Sequence, residues 1–457
     1  MARTTTLDLS RGSINKQILH LAMPTMYGLM FQAFYDIVDM IWIGFISPAA
    51  VASTTIFITL FWIVEVLNEI VGTSSVSMIS QYHGAQDIEK TRLAAEQTII
   101  FKIILATCGA IVMALLIEPA YKLYSDDPAV IRYGLEYGFI RIAFIPIFFS
   151  SYSVNTIFRC TGDAKTPMML LTGAAVINIV LDPLLMFDVI PGTSIPGLGW
   201  GMYGAAIATV VAMTFSFVVG FALLLAGKAP IRIRFRGLFK LNKELDYKLM
   251  TIGLPSGMNL CFRNIVTFII LKLVAMYGTE AIAVVGVATR IYQFGIMPSM
   301  GIQTGSGIIV GHSLGAGDPH RAKETVRLTN RDCVLFTGIF AFVAMLLPGK
   351  LLGLFMGGAA VSAEGSRLLF IMGPCMLVCA AMSGYGAAFY GSGENRPILY
   401  SSLLGQWCFQ VPYALIVTLV LHLPVTWLWF AYLVGDCAEA LSRRYFYSRG
   451  VWAKRRV

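Results

Sequence analysis

The sequence is short of charge. Asp, Glu, Lys and Arg together make up 13% of it, against about 25% in typical soluble domains. Histidine is scarce, at 5 residues. There is no H-E-x-x-H and no P-loop G-x-x-x-x-G-K-[ST], so zinc proteolysis and ATP hydrolysis have no support. Cysteine pairing is missing too. The eight cysteines are Cys108, Cys160, Cys261, Cys333, Cys375, Cys379, Cys408 and Cys437. Most fall inside apolar runs, and only Cys375 and Cys379 are close. No histidine or second pair lies at zinc spacing, so small buried residues are expected rather than metal ligands. These shortages exclude a secreted enzyme, a disulfide scaffold and a nucleic-acid-binding domain. What fills the space is apolar: 57% of residues, with a mean hydropathy of +0.73. A soluble chain of 457 residues would make about three domains of roughly 150 each. Composition instead assigns nearly the whole chain to a lipid bilayer. The first apolar run, from Ile18 onward, is too long for a cleavable signal and carries Asp36 and Asp39.

A helix needs about 20 residues to cross the hydrocarbon layer. Twelve apolar runs reach that length: about 18–45, 51–80, 92–117, 130–156, 166–188, 200–226, 249–276, 281–311, 325–347, 366–389, 398–421 and 425–446. They are continuous rather than alternating, which argues for an all-α protein and against a strand barrel. Breaks carry turn residues, as at Ser125-Asp126-Asp127-Pro128, Pro191-Gly192 and Gly317-Asp318-Pro319. The net charge of +9 reads as loop bias. With a cytoplasmic N-terminus, 25 of the 34 Lys and Arg fall on the cytoplasmic side and 4 outside, namely Lys122, Arg132, Lys350 and Arg367. The positive-inside rule then predicts that both termini are cytoplasmic.

The chain repeats itself. Leu21-Ala22-Met23-Pro24-Thr25 aligns with Ile252-Gly253-Leu254-Pro255-Ser256 at an offset of 231. At the same offset Gly84-Ala85-Gln86-Asp87 aligns with Gly315-Ala316-Gly317-Asp318, Thr161-Gly162-Asp163 with Ser392-Gly393-Glu394, and Gly204 with Gly435. The expected organisation is two six-span lobes, 1–227 and 248–457, joined by a basic cytoplasmic linker, 228–247. Six spans is an even number, so both lobes enter the membrane the same way round, as pseudo-symmetric halves about an axis along the membrane normal. Secondary transporters use that architecture, with a central substrate and halves that rock against each other. In the linker, Ile231-Arg232-Ile233-Arg234-Phe235-Arg236 alternates charge with apolar residues. It reads either as a segment lying on the anionic inner leaflet or as a solvated tether.

Read together and in order, several segments resemble the multidrug and toxic compound extrusion family. They are Leu21-Ala22-Met23-Pro24, Tyr35-Asp36-Ile37-Val38-Asp39, Gly84-Ala85, Gly162-Asp163 to Pro167, Asn178-Ile179-Val180-Leu181-Asp182-Pro183 and Gly204-Ala205-Ala206-Ile207-Ala208-Thr209. The acids of the first lobe look closest to the DinF-like branch. The resemblance implies proton- or sodium-driven antiport that exports cationic or amphiphilic organic compounds by alternating access. It implies a multi-pass cell-membrane protein working as a monomer, with no enzymatic activity, no nucleic-acid partner and no cofactor beyond the coupling ion. Tyr35, Asp39, Asn178 and Asp182 match the family's coupling residues, and Thr209 fills a polar position on the sixth span. Departures are Asp36 where Asn is commoner, the additional acids Glu65 and Glu69, and Arg263 and Lys272 on the seventh span, where another branch carries an acid. A flippase for a lipid-linked oligosaccharide, from the same superfamily, is the rival reading. It would want a cationic cavity.

The intramembrane charges support a site on physical grounds, because each costs about 2.5–3.5 kcal/mol at the bilayer centre. Asp39 and Asp182, on spans one and five, fall within roughly 8 Å of each other in depth. Two such carboxylates cannot both ionise easily, so one can hold a proton. Together with Asn178 and backbone oxygens they can equally hold a hard cation such as Na+. In a purely structural reading, Asn178 and Asp182 satisfy backbone freed by Pro183. Glu65 and Glu69 share one helix face, so either one holds a proton or Arg141 on span four neutralises them. Asp36, Glu65, Glu69, Thr209 and Arg263 are candidate cavity residues. Arg263, Lys272 and Arg290 are expected to pair structurally with Asp436 and Glu439. Phe31, Phe34, Tyr35, Phe61, Trp62 and Tyr292 either line a cavity for organic cations or simply pack.

Overall fold

Inside lipid, helix lets a single segment satisfy all its own backbone groups. The chain follows that rule throughout the residues described by the computed structural model, which are Leu9, 12–355 and 363–457. Arg3 and Arg11 of the N-terminal charge count lie outside them. The helices are α1 (Ile14–Ile46), α2 (Pro48–Gly84), α3 (Ile88–Tyr124), α4 (Pro128–Ala143), α5 (Ile145–Cys160), α6 (Lys165–Met186) and α7 (Gly201–Leu225). After a short 3-10 turn come α8 (Lys243–Ala275), α9 (Thr279–Gly315), α10 (Pro319–Leu346), the short α11 (Pro348–Phe355) and α12 (Ala363–Ser392). The next crossing is α13 (Arg396–Ser402) with α14 (Val411–Leu415) and intervening π-helical turns. It is followed by α15 (Val425–Ser448) and α16 (Val451–Lys454). Among the described residues the one extended pairing is the isolated bridge between Val189 and Pro196.

Ten of these helices are long and apolar enough to cross a membrane. The fourth predicted run, 130–156, is two helices: α4 and α5 meet at a bend of 51°. The cause is local. Phe144 leaves helical geometry with φ −103° and ψ 6°, and Pro146, in the first turn of α5, has no N–H with which to continue α4. The twelfth run is α15, whose Asp436, Glu439, Arg443 and Arg444 set it apart in composition.

The repeat is visible element by element. Helices α2 and α9 are each 37 residues long and start and end 231 positions apart. Asp87 and Asp318 each cap the following helix by accepting from the backbone N–H three residues on. Gly162 and Gly393 both take positive φ, 92° and 74°, at the turns leading to α6 and α13.

The described residues form two compact units. The first comprises 27–253. The second comprises Leu9–Met26 and Leu254–Val457. The core of the first unit packs Phe57, Ile117, Tyr121, Tyr137 and Phe149 between α2, α3, α4 and α5. Gly134 on α4 permits this, since a Cβ there would stand 2.1 Å from the Tyr121 ring. The core of the second unit gathers Val266, Val285, Leu368, Ala414 and Trp429.

The basic linker is not a free tether, because one of its edges is buried. Ile231 and Ile233 are buried in the first unit while Arg232 and Arg234 face out. The Arg234 N–H donates to Glu96 Oε1 at 2.7 Å, and Gln97 of α3 donates to the Lys240 carbonyl at 2.5 Å. Gly237 is needed here, because a Cβ would stand 2.0 Å from Glu96 Oε2. Alternation in the sequence therefore marks a strap with one buried edge.

Candidate functional site

Spacing on two helices builds the centre of the first unit. On α1, Tyr35 and Asp39 are four apart and Asp36 and Asp39 three apart, so the three share a face. Tyr35 is buried against Ala175 of α6 and Met213 of α7, Asp39 is half-buried and Asp36 is exposed. On α6, Asn178 and Asp182 are four apart and almost fully buried. Asn178 Nδ2 donates to Asp182 Oδ1 at 3.0 Å. The two side chains bond to each other, and no side-chain hydrogen bond from either to the backbone near Pro183 is seen among the described residues.

Asp39 and Asp182 lie within electrostatic reach of each other, and Arg141 reaches Asp36, Asp39 and Asp182. Arg141 ends α4 just before the bend, with its guanidinium 5.6 Å from the Tyr137 ring centroid and 5.5 Å from that of Phe148. It also lines a small pocket with Phe61, Thr209 and Met213. Thr209 Oγ1 donates back to the Ala205 carbonyl at 3.1 Å. Three carboxylates thus share one guanidinium, so the centre carries surplus negative charge whenever more than one of them is ionised. Asp39 Oδ1, Asn178 Oδ1 and Asp182 Oδ2 are buried with no hydrogen-bond partner. Buried oxygens are nearly always satisfied, and three hard oxygen donors fit a proton or a small hard cation. No group of three or more His, Cys, Asp or Glu forms a metal cage among the described residues.

Glu65 and Glu69 belong to a different cluster. Their cationic neighbour is Lys102 of α3, not Arg141. Asn68 donates to Glu65 Oε1 at 2.6 Å. Lys102 lies well inside the 92–117 run, ten residues beyond Arg92 at its edge. In the second unit Glu439, fully buried, takes Arg263 at 3.3 Å and also Arg443, whereas Asp436 closes no ion pair among the described residues. Lys272 and Arg290 are exposed and close no ion pair among the described residues. Of the aromatics, Phe61 packs edge-on against Phe148 and Phe149, whereas Phe31, Phe34 and Trp62 are exposed. All eight cysteines are free. Gly311-His312-Ser313-Leu314-Gly315 spells the hydrolase pattern G-x-S-x-G, a match the sequence reading overlooked. It lies inside α9, where Ser313 is buried and donates to the Ile309 carbonyl at 2.8 Å. It therefore lacks the strand-to-helix elbow that would expose a nucleophile.

The family model for MatE matches residues 24–184 and 255–428, two stretches that begin at Pro24 and Pro255, 231 positions apart. A probable multidrug resistance protein of Bacillus subtilis, YoeA, is 25% identical over 98% of this chain and 96% of its own. A FAD transporter of Shewanella oneidensis is 25% identical over 71% of this chain and 70% of its own. Among solved structures, an outward-facing multidrug resistance MATE family transporter of the MOP superfamily has a TM-score of 0.89 at 23% identity, covering 98% of each chain. A MOP superfamily transporter from Pyrococcus furiosus, whose binding pocket is described as of reverse polarity, has a TM-score of 0.87 at 23% identity over the full length of both. At that identity the structural likeness concerns the fold.

Proposed function

This chain belongs to the multidrug and toxic compound extrusion (MatE) family of membrane transporters, and from that premise we propose that it exports cationic, amphiphilic organic compounds in exchange for an inward-moving proton or sodium ion. The observation that carries the reading is the trio of buried, unpartnered oxygens on Asp39, Asn178 and Asp182 beside surplus negative charge. Such oxygens are costly in an apolar interior unless something binds them. A bound proton or sodium ion satisfies them and neutralises part of the excess. A ligand shifts a conformational equilibrium only by its differential affinity for the two states. The ion must therefore bind one facing of the transporter better, and Asp39 on α1 and Asp182 on α6 are the groups whose contacts it changes. Arg141 lies within electrostatic reach of both carboxylates, and Asp36 sits on the exposed side.

A cationic substrate follows from the same surplus, since unloading the ion leaves a negative centre that attracts an organic cation. A lipid-linked pyrophosphate would be repelled by it, which disfavours the flippase reading. The protein so read is a monomer in the cytoplasmic membrane, with both termini in the cytoplasm and two six-span lobes. The test is ethidium efflux from vesicles under an imposed proton gradient and, separately, an imposed sodium gradient. Efflux driven by either supports antiport; none under both overturns it.

A further inference from the structure

The first unit holds a second ionisable centre that the coupling reading leaves unused. Glu65 and Glu69 lie one turn apart on α2, both half-buried. Lys102 enters from α3 with 2% of its surface exposed. It lies within electrostatic reach of both carboxylates but closes no ion pair or hydrogen bond among the described residues. Its Nζ rests against Gly72, 3.9 Å from where a Cβ would stand. Asn68 donates to Glu65 Oε1, and its own Oδ1 is buried without a partner. Two groups of α5 complete the surroundings. Tyr152 accepts from Gln32 of α1 at 2.8 Å and lies within reach of Glu65, and Arg159 reaches Lys102. Asp36 and Arg141 act on Tyr152 and mark the nearest edge of the Asp39 centre.

Charge arithmetic gives this cluster a task. Arg159 acts on Lys102 but on neither carboxylate, so the two carboxylates and their one ammonium leave one negative charge in a low-dielectric interior, where unbalanced charge is expensive. A single proton makes the group neutral. We propose that Glu65, Glu69 and Lys102 form a second loading site that takes one proton from the external medium and releases it to the cytoplasm in each cycle, so that two coupling ions move per exported molecule. The inference rests on the export reading of Asp39 and Asp182. Lys102 sets the count, because it keeps one carboxylate ionised and leaves the other to exchange. Only an O–H bond is made on loading and broken on release.

The test uses the full chain in proteoliposomes loaded with ethidium, a monovalent cation. Sodium and pH are equal on both sides, and valinomycin imposes an inside-negative potential. Two ions in against one ethidium out carries one net charge, so about 100 mV should shift the steady ethidium ratio about fifty-fold. Glu65→Gln and Glu69→Gln each leave a neutral carboxylate–lysine pair with no proton to exchange. Both should lose the response to potential while still exporting under a chemical gradient of the coupling ion. Glu69→Gln/Lys102→Gln leaves one lone carboxylate and should regain the response. A wild-type voltage response in the single variants overturns the second site, as does loss of all export in them at normal abundance. If the single variants do not accumulate, Glu65→Gln/Glu69→Gln/Lys102→Gln, which leaves the cluster nothing to exchange, decides: loss of the voltage response with export retained supports the site, and a wild-type response overturns it. Asp39→Asn, run alongside, tests the premise separately. Export that survives there refutes the coupling centre whatever Glu65 does.

Discussion

Asn178 stands between the charge of Asp182 and an oxygen with nothing bound to it. Its amide donates to Asp182 Oδ1 at 3.0 Å while its own Oδ1 is buried and unpartnered. Alanine at this position removes a hydrogen bond to a carboxylate, worth about 1.5–3 kcal/mol, and one of three candidate ligand oxygens. Asn178→Ala should therefore raise the half-saturating concentration of the coupling ion about tenfold or more, measured as the ion dependence of efflux. An unchanged dependence would remove Asn178 from the site. At this scale the sequence was informative about cost but not about company. Asp39, Asp182, Glu65 and Glu69 stand out in spans because hydrocarbon penalises them. Which cation meets which acid depends on helix rotation, and that is fixed by packing of faces nearly uniform in hydropathy. Arg141 is therefore readable from the sequence as a neighbour of Glu65, although it reaches Asp36, Asp39 and Asp182, and Lys102 meets Glu65 and Glu69 instead.

Among elements, the strap from Ile231 to Asn242 makes the sharpest claim. Its backbone is pinned to Glu96 and Gln97 of α3. Glu96→Ala leaves the Arg234 N–H without its Glu96 acceptor and removes a bond to a charged group, at a cost of about 1–3 kcal/mol. The variant should melt earlier in detergent and be cut faster by protease between 228 and 242. Melting and cleavage at wild-type rates would show that the strap is held by other contacts. Span boundaries were readable because apolar runs and N-cap acids such as Asp87 and Asp318 are local signals. The bend between α4 and α5 was not. Proline within a span is common, as Pro24, Pro183 and Pro374 show inside unbroken helices. Only the departure of Phe144 from helical geometry turns Pro146 into a break. The strap was misjudged for a related reason. Alternating Ile and Arg fits a membrane surface as well as a protein surface, and the sequence does not name the partner.

Across the whole molecule, the offset of 231 and the order of helices were legible because both lobes keep the same punctuation at the same spacing. Orientation rests on the distribution of Lys and Arg, with 25 on one side against 4 on the other. A cysteine placed at Lys240 in a cysteine-free background should react with membrane-impermeant reagents only from the cytoplasmic side. Labelling from outside would invert the topology. The account as a whole turns on the pair Asp39 and Asp182, because every other part of the export reading supports or uses them. Asn at either position keeps shape and polarity but cannot ionise or release a cation as a carboxylate does. Asp188, exposed in the loop beyond α6, is the control. The most direct measurement is ion-gradient-driven ethidium efflux by purified Asp39→Asn, Asp182→Asn and Asp188→Asn variants at matched abundance in proteoliposomes. The account predicts loss of gradient-driven efflux in the first two and near-normal efflux in the third. Wild-type rates in Asp39→Asn and Asp182→Asn, under either a proton or a sodium gradient, would contradict it.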